Sequence, residues 1–165
     1  RAQVGSSSLM AALFKDQAAV SPAKKPGARD AVNYWEVGKA VRVAETPGFG
    51  GTATPWSTVV AHVTLIRNFV HARPNLKMLY YLMECDPKDG ARFRDIDALR
   101  YLCKEVKNLT VVLTKADRYD VPRALQELLE HGIEHPAIAT SAKTLGGVDT
   151  LRFDVVSNAT HTLPL

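Results

Sequence analysis

The chain has 165 residues, which is enough for one domain with a full hydrophobic core. Its contents of 46% hydrophobic and 23% charged residues are typical of a globular protein and exclude a disordered one. No apolar run approaches the roughly 20 residues that cross a bilayer, so we expect no membrane partner. The net charge of +4 is compatible with an RNA-rich partner, and Cys85 and Cys103 are expected to be reduced thiols.

The first predicted element is a short helix that opens with glycine and serine. Gly5, Ser6, Ser7 and Ser8 precede an apolar pattern with helical spacing. Such a helix N-terminus presents free backbone N–H groups and the positive end of the helix dipole, which suits a phosphate group. These four residues are therefore candidate phosphate ligands, although an ordinary capped helix has the same pattern.

A hairpin is predicted next, between two loops. Residues 18–30 are irregular and basic, and residues 31–37 and 40–44 alternate like two strands joined by a turn at Gly38-Lys39. The second strand leads into a glycine-rich loop at residues 45–51.

Helices and a buried strand follow the hairpin. Residues 56–72 predict a helix, and residues 76–83 are almost continuously apolar, as expected of a central strand in a parallel sheet. A further helix is predicted to begin near Phe93 and to end near Val106, with Phe93 turned toward the core.

A guanine-reading loop is indicated by Thr114-Lys115-Ala116-Asp117, directly after the apolar run 109–112. The Asp117 carboxylate can accept hydrogen bonds from guanine N1–H and N2–H, and the Lys115 stem can lie along the base. Adenine offers no matching pair of donors, so such a site discriminates between the two bases. Four residues are a weak signal by themselves, since chance produces the pattern in about a few per cent of chains this long.

The last part of the sequence alternates again between helix and strand. We predict a helix at 122–130, a strand at 137–140 that leads into Ser141-Ala142-Lys143, and a final helix from Gly147 to about Ser157. Residues 158–165 have no periodicity, so the domain is assigned to 1–157 with an irregular tail. The alternation predicts an α/β fold, namely a doubly wound, mostly parallel sheet with helices on both faces.

The order of the loops carries the functional argument. Loops that follow strands gather at one edge of a doubly wound sheet, where ligands bind. The glycine-serine loop, the Pro-Gly-x-Gly loop, Thr-Lys-x-Asp and Ser-Ala-Lys occur in the order of a small GTPase. The resemblance to a small GTPase implies that Gly48 is a further phosphate-binding residue, and that Ser141, Ala142 and Lys143 bind guanine together with Thr114, Lys115 and Asp117. The Ala142 backbone N–H is available to guanine O6.

These motifs together resemble the EngB (YihA) type of Era-like GTPases. Residues 1–9, 25–35, 45–50, 111–117 and 141–152 are similar to family motifs, so the resemblance covers nearly the whole chain. It implies a P-loop GTPase-like fold, bound GTP or GDP with Mg²⁺, and action in assembly of the large ribosomal subunit. It also implies a first strand immediately ahead of Arg1, so we expect a domain that is N-terminally incomplete in this sequence.

Departures from the family cluster at the phosphate end. Ser6 occupies the position of the phosphate-loop lysine, whose ammonium bridges two phosphates. Glu45 replaces the aspartate that orients the Mg²⁺ water shell, while Ser7 is retained as the hydroxyl expected on the metal. In the switch loop, Arg29 stands where the family has a metal-binding threonine. The switch loop is assigned to Lys25, Gly27 and Arg29.

The leading hypothesis is a degenerate EngB-like scaffold on the large ribosomal subunit or its assembly intermediate. It would contact rRNA and ribosomal proteins and hold guanine nucleotide without efficient hydrolysis, with weakened Mg²⁺ and no catalytic residue. One alternative is an active GTPase whose phosphate-binding cation is relocated to Lys24, Lys25 or Arg29. The other is an α/β interaction module without nucleotide, in which Asp117 only caps a helix. We expect the mitochondrial matrix, with cytoplasm or plastid as alternatives, and no secretion.

Overall fold

A computed structural model describes residues 4–14, 20–22, 32–37, 41–48, 54–85 and 92–160. No helix within these ranges is both long and apolar enough to cross a membrane. In chain order the elements are α1 (Ser6–Leu13), β1 (Val20–Pro22), β2 (Asn33–Val37), β3 (Val41–Glu45), α2 (Trp56–His71), β4 (Leu79–Glu84), α3 (Arg92–Glu105), β5 (Leu109–Thr114), α4 (Val121–Glu130), β6 (Ala137–Ala139) and α5 (Val148–Thr160).

The first half of the chain forms an antiparallel sheet in the order β1-β2-β3. Tyr34 of β2 lies opposite Ala44 of β3, so the two predicted hairpin strands are confirmed. Their turn at residues 38–39 lies outside the described ranges. The prediction that residues 18–30 are irregular is wrong for Val20–Pro22, which pair with β2. Such a short edge strand needs only backbone pairing, and Pro22 is tolerated because an edge strand has an unpaired side.

The second half forms a parallel sheet in the order β4-β5-β6. β5 is buried along its whole length, since it has a strand on each edge and helices on each face. The apolar run of β4 predicts a central strand, but within the described ranges β4 lies at the edge of this sheet. Its apolar run is explained by helices covering both faces. β4 also begins three residues later than predicted, because the Leu76 N–H binds the Arg73 carbonyl in a turn.

Helices pack on both faces of the parallel sheet, as predicted. Val111 and Leu113 of β5 belong to a core cluster with α2, α3 and α4, and Val112 belongs to a second cluster with α1 and α5. The α/β fold class is therefore confirmed. The first cluster includes Ile66, Leu99, Leu102 and Leu128, and the second includes Leu9, Leu13, Val148 and Leu151.

Two helix predictions need correction. Phe93 is 71% exposed and does not turn toward the core, because it lies in the first turn of α3 and the buried face begins at Asp95 and Ile96. The final helix extends to Thr160, so residues 158–160 do not belong to an irregular tail. Asn158 stabilises this last turn by donating to the Asp154 carbonyl oxygen at 2.9 Å.

Candidate functional site

Asp117 and Ser141 meet just beyond the carboxyl ends of β5 and β6. Ser141 Oγ donates to Asp117 Oδ1 at 2.6 Å and accepts from the Thr144 N–H at 3.1 Å, which directs its proton toward the carboxylate. This hydrogen bond is the main cause that lowers the pKa of Asp117 below its ordinary value. Partial burial opposes the shift, whereas the charges of Arg118 and Lys143 assist it. Asp117 therefore remains ionised at neutral pH, as an acceptor of the guanine N–H groups must be.

Lys115 lies beside Asp117 in a conformation that is unusual for its residue type. Its φ of 58° is in the left-handed region, which costs a non-glycine residue roughly 1–2 kcal/mol. Lys115 Nζ donates to Oε1 of Glu84 at 2.8 Å, and Glu84 is 8% exposed at the end of β4. The ion pair fixes the end of the lysine side chain at the loop that carries Asp117.

Glu84 is a residue that the sequence analysis missed. It belongs to none of the motifs, and its partner lies 31 residues further along the chain. The parallel register pairs Glu84 with Thr114, one residue ahead of Lys115. Aligning the carboxyl ends of the two predicted strands is therefore the signal that could have found it.

Thr114 joins the base-reading loop to the segment ahead of α1. Its Oγ1 lies 2.7 Å from the Val4 carbonyl oxygen and 3.3 Å from that of Met83, so it donates mainly to Val4. The Ala116 N–H donates to the Thr140 carbonyl oxygen at 3.0 Å. This hydrogen bond connects the base-reading loop to the end of β6. Hydrogen bonds thus hold three separate segments of the chain as one unit.

The N-terminus of α1 forms the other side of the site. Gly5 has a φ of 91°, and its carbonyl oxygen accepts from the Leu9 N–H at 2.9 Å. No side chain caps this helix start within the described residues. The backbone N–H groups of Ser6, Ser7 and Ser8 have no intrahelical partner in a first turn, so they are available to an anion.

A cleft of about 280 Å³ separates the two sides, near the lower end of the roughly 300–1,000 Å³ of small-molecule sites. It has a positive helix end on one side and an ionised carboxylate on the other, which suits an anion carrying a hydrogen-bonding base. The cleft is lined by Val4, Gly5, Ser8, Leu9, Thr114, Lys115, Asp117, Arg118, Thr140, Ala142 and Lys143.

Other predicted site residues lie outside this cleft. Ser6, Glu45 and Gly48 line a larger groove, and the Gly48 carbonyl oxygen lies 2.8 Å from His62 Nδ1. Ser7 is exposed and lines neither cavity. The predicted switch-loop residues, Lys25, Gly27 and Arg29, fall outside the described ranges.

The resemblance also implies a magnesium site. Its two expected ligands, Ser7 and Glu45, do not line a common cavity. No group of three or more His, Cys, Asp or Glu side chains gathers as a metal site anywhere in the described part of the chain.

Known proteins are similar to this chain in sequence. No protein-family model matches the chain. The probable GTP-binding protein EngB of Rhodospirillum rubrum is 29% identical over 172 residues, covering 96% of this chain and 74% of that protein. The probable GTP-binding protein EngB of Rhodopseudomonas palustris strain BisB18 is 32% identical over 163 residues, covering 92% of this chain and 74% of the relative. The chain belongs to the EngB family of GTP-binding proteins.

Solved structures agree with the fold of this EngB chain. The crystal structure of a probable GTP-binding protein EngB matches it with a TM-score of 0.75 at 20% identity, covering 96% of this chain and 95% of that one. The G domain of the T. maritima FeoB iron transporter matches with a TM-score of 0.60 at 16% identity, covering 96% and 94%. These neighbours establish the P-loop GTPase fold.

Proposed function

We propose that this EngB protein binds guanine nucleotide while associated with a large ribosomal subunit or its assembly intermediate, and that it hydrolyses GTP poorly. One observation carries the binding proposal. Asp117, whose carboxylate accepts a hydrogen bond from Ser141, lines the same cleft as the N-terminus of α1. A guanine base on Asp117 would direct its phosphates toward the free N–H groups of that helix.

Poor hydrolysis is supported by the distribution of charge. The cations that line the described cleft are Lys115, Arg118 and Lys143, and all three come from the base-reading side. At the helix side Ser6 offers only a hydroxyl where the family resemblance places an ammonium group. Losing one charged hydrogen bond costs about 1.5–3 kcal/mol, which corresponds to about ten- to a hundred-fold in affinity.

The proposed ribosomal partner and the proposed location in the mitochondrial matrix are both based on the family resemblance. The net charge of +4 is consistent with an RNA-rich surface.

Asp117→Asn tests nucleotide binding. The carboxamide presents an N–H₂ group to the guanine donors, so GDP affinity should fall at least about tenfold. Affinity for xanthosine diphosphate should rise, because xanthine has a carbonyl acceptor at the same edge. Fluorescent-nucleotide titration measures both. Asp120→Asn is the matched control, because Asp120 caps α4 outside the cleft and asparagine caps a helix equally well. Unchanged GDP affinity in Asp117→Asn would contradict base recognition.

Ser6→Lys tests the phosphate end. The added ammonium should raise GTP affinity about ten- to a hundred-fold and speed single-turnover hydrolysis in the presence of ribosomal particles. Ser6→Ala is the control, since it alters the same position without adding charge. Efficient turnover by the unaltered protein, with no gain in Ser6→Lys, would refute poor hydrolysis and leave the binding proposal intact.

A further inference from the structure

The outer faces of α2 and α3 form one surface. Both helices pack on the same face of the parallel sheet, since Ile66 of α2 and Leu99 and Leu102 of α3 belong to one core cluster. Their C-terminal ends meet, because His71 Nε2 lies 2.9 Å from Glu105 Oε2. α2 ends ahead of β4, α3 ends ahead of β5, and these two strands are parallel. The helices therefore run side by side in the same direction, away from the sheet edge that carries the cleft.

Each of these helices exposes an aromatic side chain in its first turn. Trp56 of α2 is 72% exposed, and Phe93 of α3 is 71% exposed. Aromatic side chains usually contribute to a core or an interface, because each of them can remove about 150–250 Å² from water. The two exposed rings lie at the same end of the surface, on helices that are neighbours.

Cationic side chains follow the aromatic ones along the same helix faces. Arg67 and Lys104 each lie about three turns beyond the aromatic residue of their helix, roughly 16 Å along its axis, and so point to the same side. Lys107 follows the end of α3. All three cations are exposed, and none of them forms an ion pair with another described residue.

Acidic side chains are few on this surface. α2 contains none. On α3, Asp95 is buried and Glu105 is paired with His71, which leaves Asp97 as the exposed acid without a described partner. The surface is therefore aromatic at the end near the cleft and positively charged at the far end.

We propose that this surface of α2 and α3 binds single-stranded RNA. Unpaired bases stack on Trp56 and Phe93, and the phosphates of the same strand contact Arg67, Lys104 and Lys107. A duplex keeps its bases stacked on one another, so it has no free base for the rings. An acidic peptide would pair with the cations but would leave the rings exposed. The inference deepens the proposed ribosomal association by naming the surface and its ligand, and it rests on that proposal only for the source of the RNA.

Removing the rings tests base stacking. Fluorescence anisotropy measures the affinity for a labelled, mixed-sequence RNA of about twelve nucleotides, within the roughly 4–16 nucleotides that a single-strand-binding domain covers. Trp56→Ala and Phe93→Ala should each weaken binding at least about fivefold. Phe153→Ala is the matched control, because Phe153 is 76% exposed on α5, at the other face of the sheet. It should bind RNA like the unaltered protein, and circular dichroism should show an intact fold in all three variants.

Removing the cations tests the phosphate contacts. Each phosphate neutralised on a single strand contributes about 0.7 to the slope of log affinity against log salt concentration. A triple variant with Arg67→Gln, Lys104→Gln and Lys107→Gln should therefore have a slope smaller in magnitude by about 2. Arg42→Gln, which removes an exposed cation from β3, is the control and should leave the slope unchanged.

Four results would overturn the inference. They are RNA affinity unchanged by Trp56→Ala and Phe93→Ala, a salt slope unchanged in the triple variant, tighter binding of a duplex of the same length, and competition by polyglutamate as effective as by unlabelled RNA. The last would identify an acidic peptide as the ligand.

Cosedimentation with ribosomal particles separates this inference from the proposed function. If the unaltered protein cosediments but its RNA binding does not depend on the surface of α2 and α3, the inference fails and the proposed association stands. If RNA binds this surface but the protein does not cosediment, the proposed association fails and the inference stands.

Discussion

At the scale of single residues, the hydroxyl of Ser141 stabilises the ionised form of the carboxylate that is expected to read the base. Its oxygen is fixed by the Thr144 N–H, so the proton has one direction in which to point. The donor lies 2.6 Å from Asp117 and stabilises the ionised form. The sequence motif predicts that Ser141 contacts the nucleotide, whereas in the structure its hydroxyl binds the Asp117 carboxylate.

Ser141→Ala should therefore move the pH dependence of the site. The pKa of Asp117 is lowered in the folded protein. The hydrogen bond from Ser141 to the ionised carboxylate therefore stabilises the fold fully at pH values above the ordinary pKa of Asp117. This stabilisation is lost as the pH falls through the lowered pKa. Without the hydroxyl, the pKa of Asp117 rises toward its ordinary 3.8, and GDP binding is lost at a higher pH. Carboxyl-carbon NMR and GDP titration between about pH 2 and pH 6 measure the two effects.

Ser141→Thr keeps a hydroxyl donor, so the pKa of Asp117 should stay below its ordinary value in this variant. Thr64→Ala, on the exposed side of α2, is the control for a hydroxyl removed elsewhere. If Ser141→Ala and Thr64→Ala gave the same Asp117 titration, the hydroxyl would not control the carboxylate.

At the scale of elements, the sequence predicts those helices and strands whose positions are determined by apolar periodicity and by turn residues. The apolar run of β5, the proline at the start of α4 and the alternation of β2 and β3 all lead to elements that the structure contains. Phe93 shows the limit, because helical spacing places it on the buried face, whereas the packing of α3 begins one turn later. The Lys115–Glu84 pair depends on strand register, which local pattern does not specify.

Gly147 is a position where element packing permits only glycine. It has a φ of 69°, and a Cβ there would lie 1.9 Å from the carbonyl oxygen of Ala139, which belongs to the backbone of β6. Gly147→Ala should lower the free energy of unfolding by more than about 2 kcal/mol, measured by chemical denaturation.

Gly146→Ala is the neighbouring control. A Cβ at that position meets only Thr144 Oγ1, at 3.4 Å, and this side-chain atom can move. If the two variants were equally stable, the start of α5 would shift away from β6 at little cost, contrary to the tight approach described.

At the scale of the whole molecule, Arg73 holds the antiparallel sheet against α2. Its guanidinium lies 4.2 Å from the centre of the Phe69 ring and donates a hydrogen bond to the hydroxyl of Tyr34 in β2. The division into two sheets was not predicted, because alternating strands and helices indicate the fold class but not which strand edges remain unpaired. Among the described residues no strand pairs across the two sheets, so side-chain contacts such as this one join the two halves.

Arg73→Ala should loosen one half of the molecule selectively. Cation–π contacts at exposed sites contribute about 0.5–1 kcal/mol, so β2 and β3 should exchange amide hydrogens a few times faster. Exchange in β4, β5 and β6 should be unchanged. Arg67→Ala, at an exposed position on α2, is the control. Equal acceleration in all strands would mean that the two sheets open as one cooperative unit.

The bond between Thr114 and Val4 has a consequence for biosynthesis. Its partners are 110 residues apart, so the segment that leads into α1 leaves the ribosome long before the strand that anchors it. Closing so long a loop requires β5 to be in place first. The helix end that would meet the phosphates is thus translated early and completed late, and a nascent chain would capture nucleotide only after most of the domain has folded.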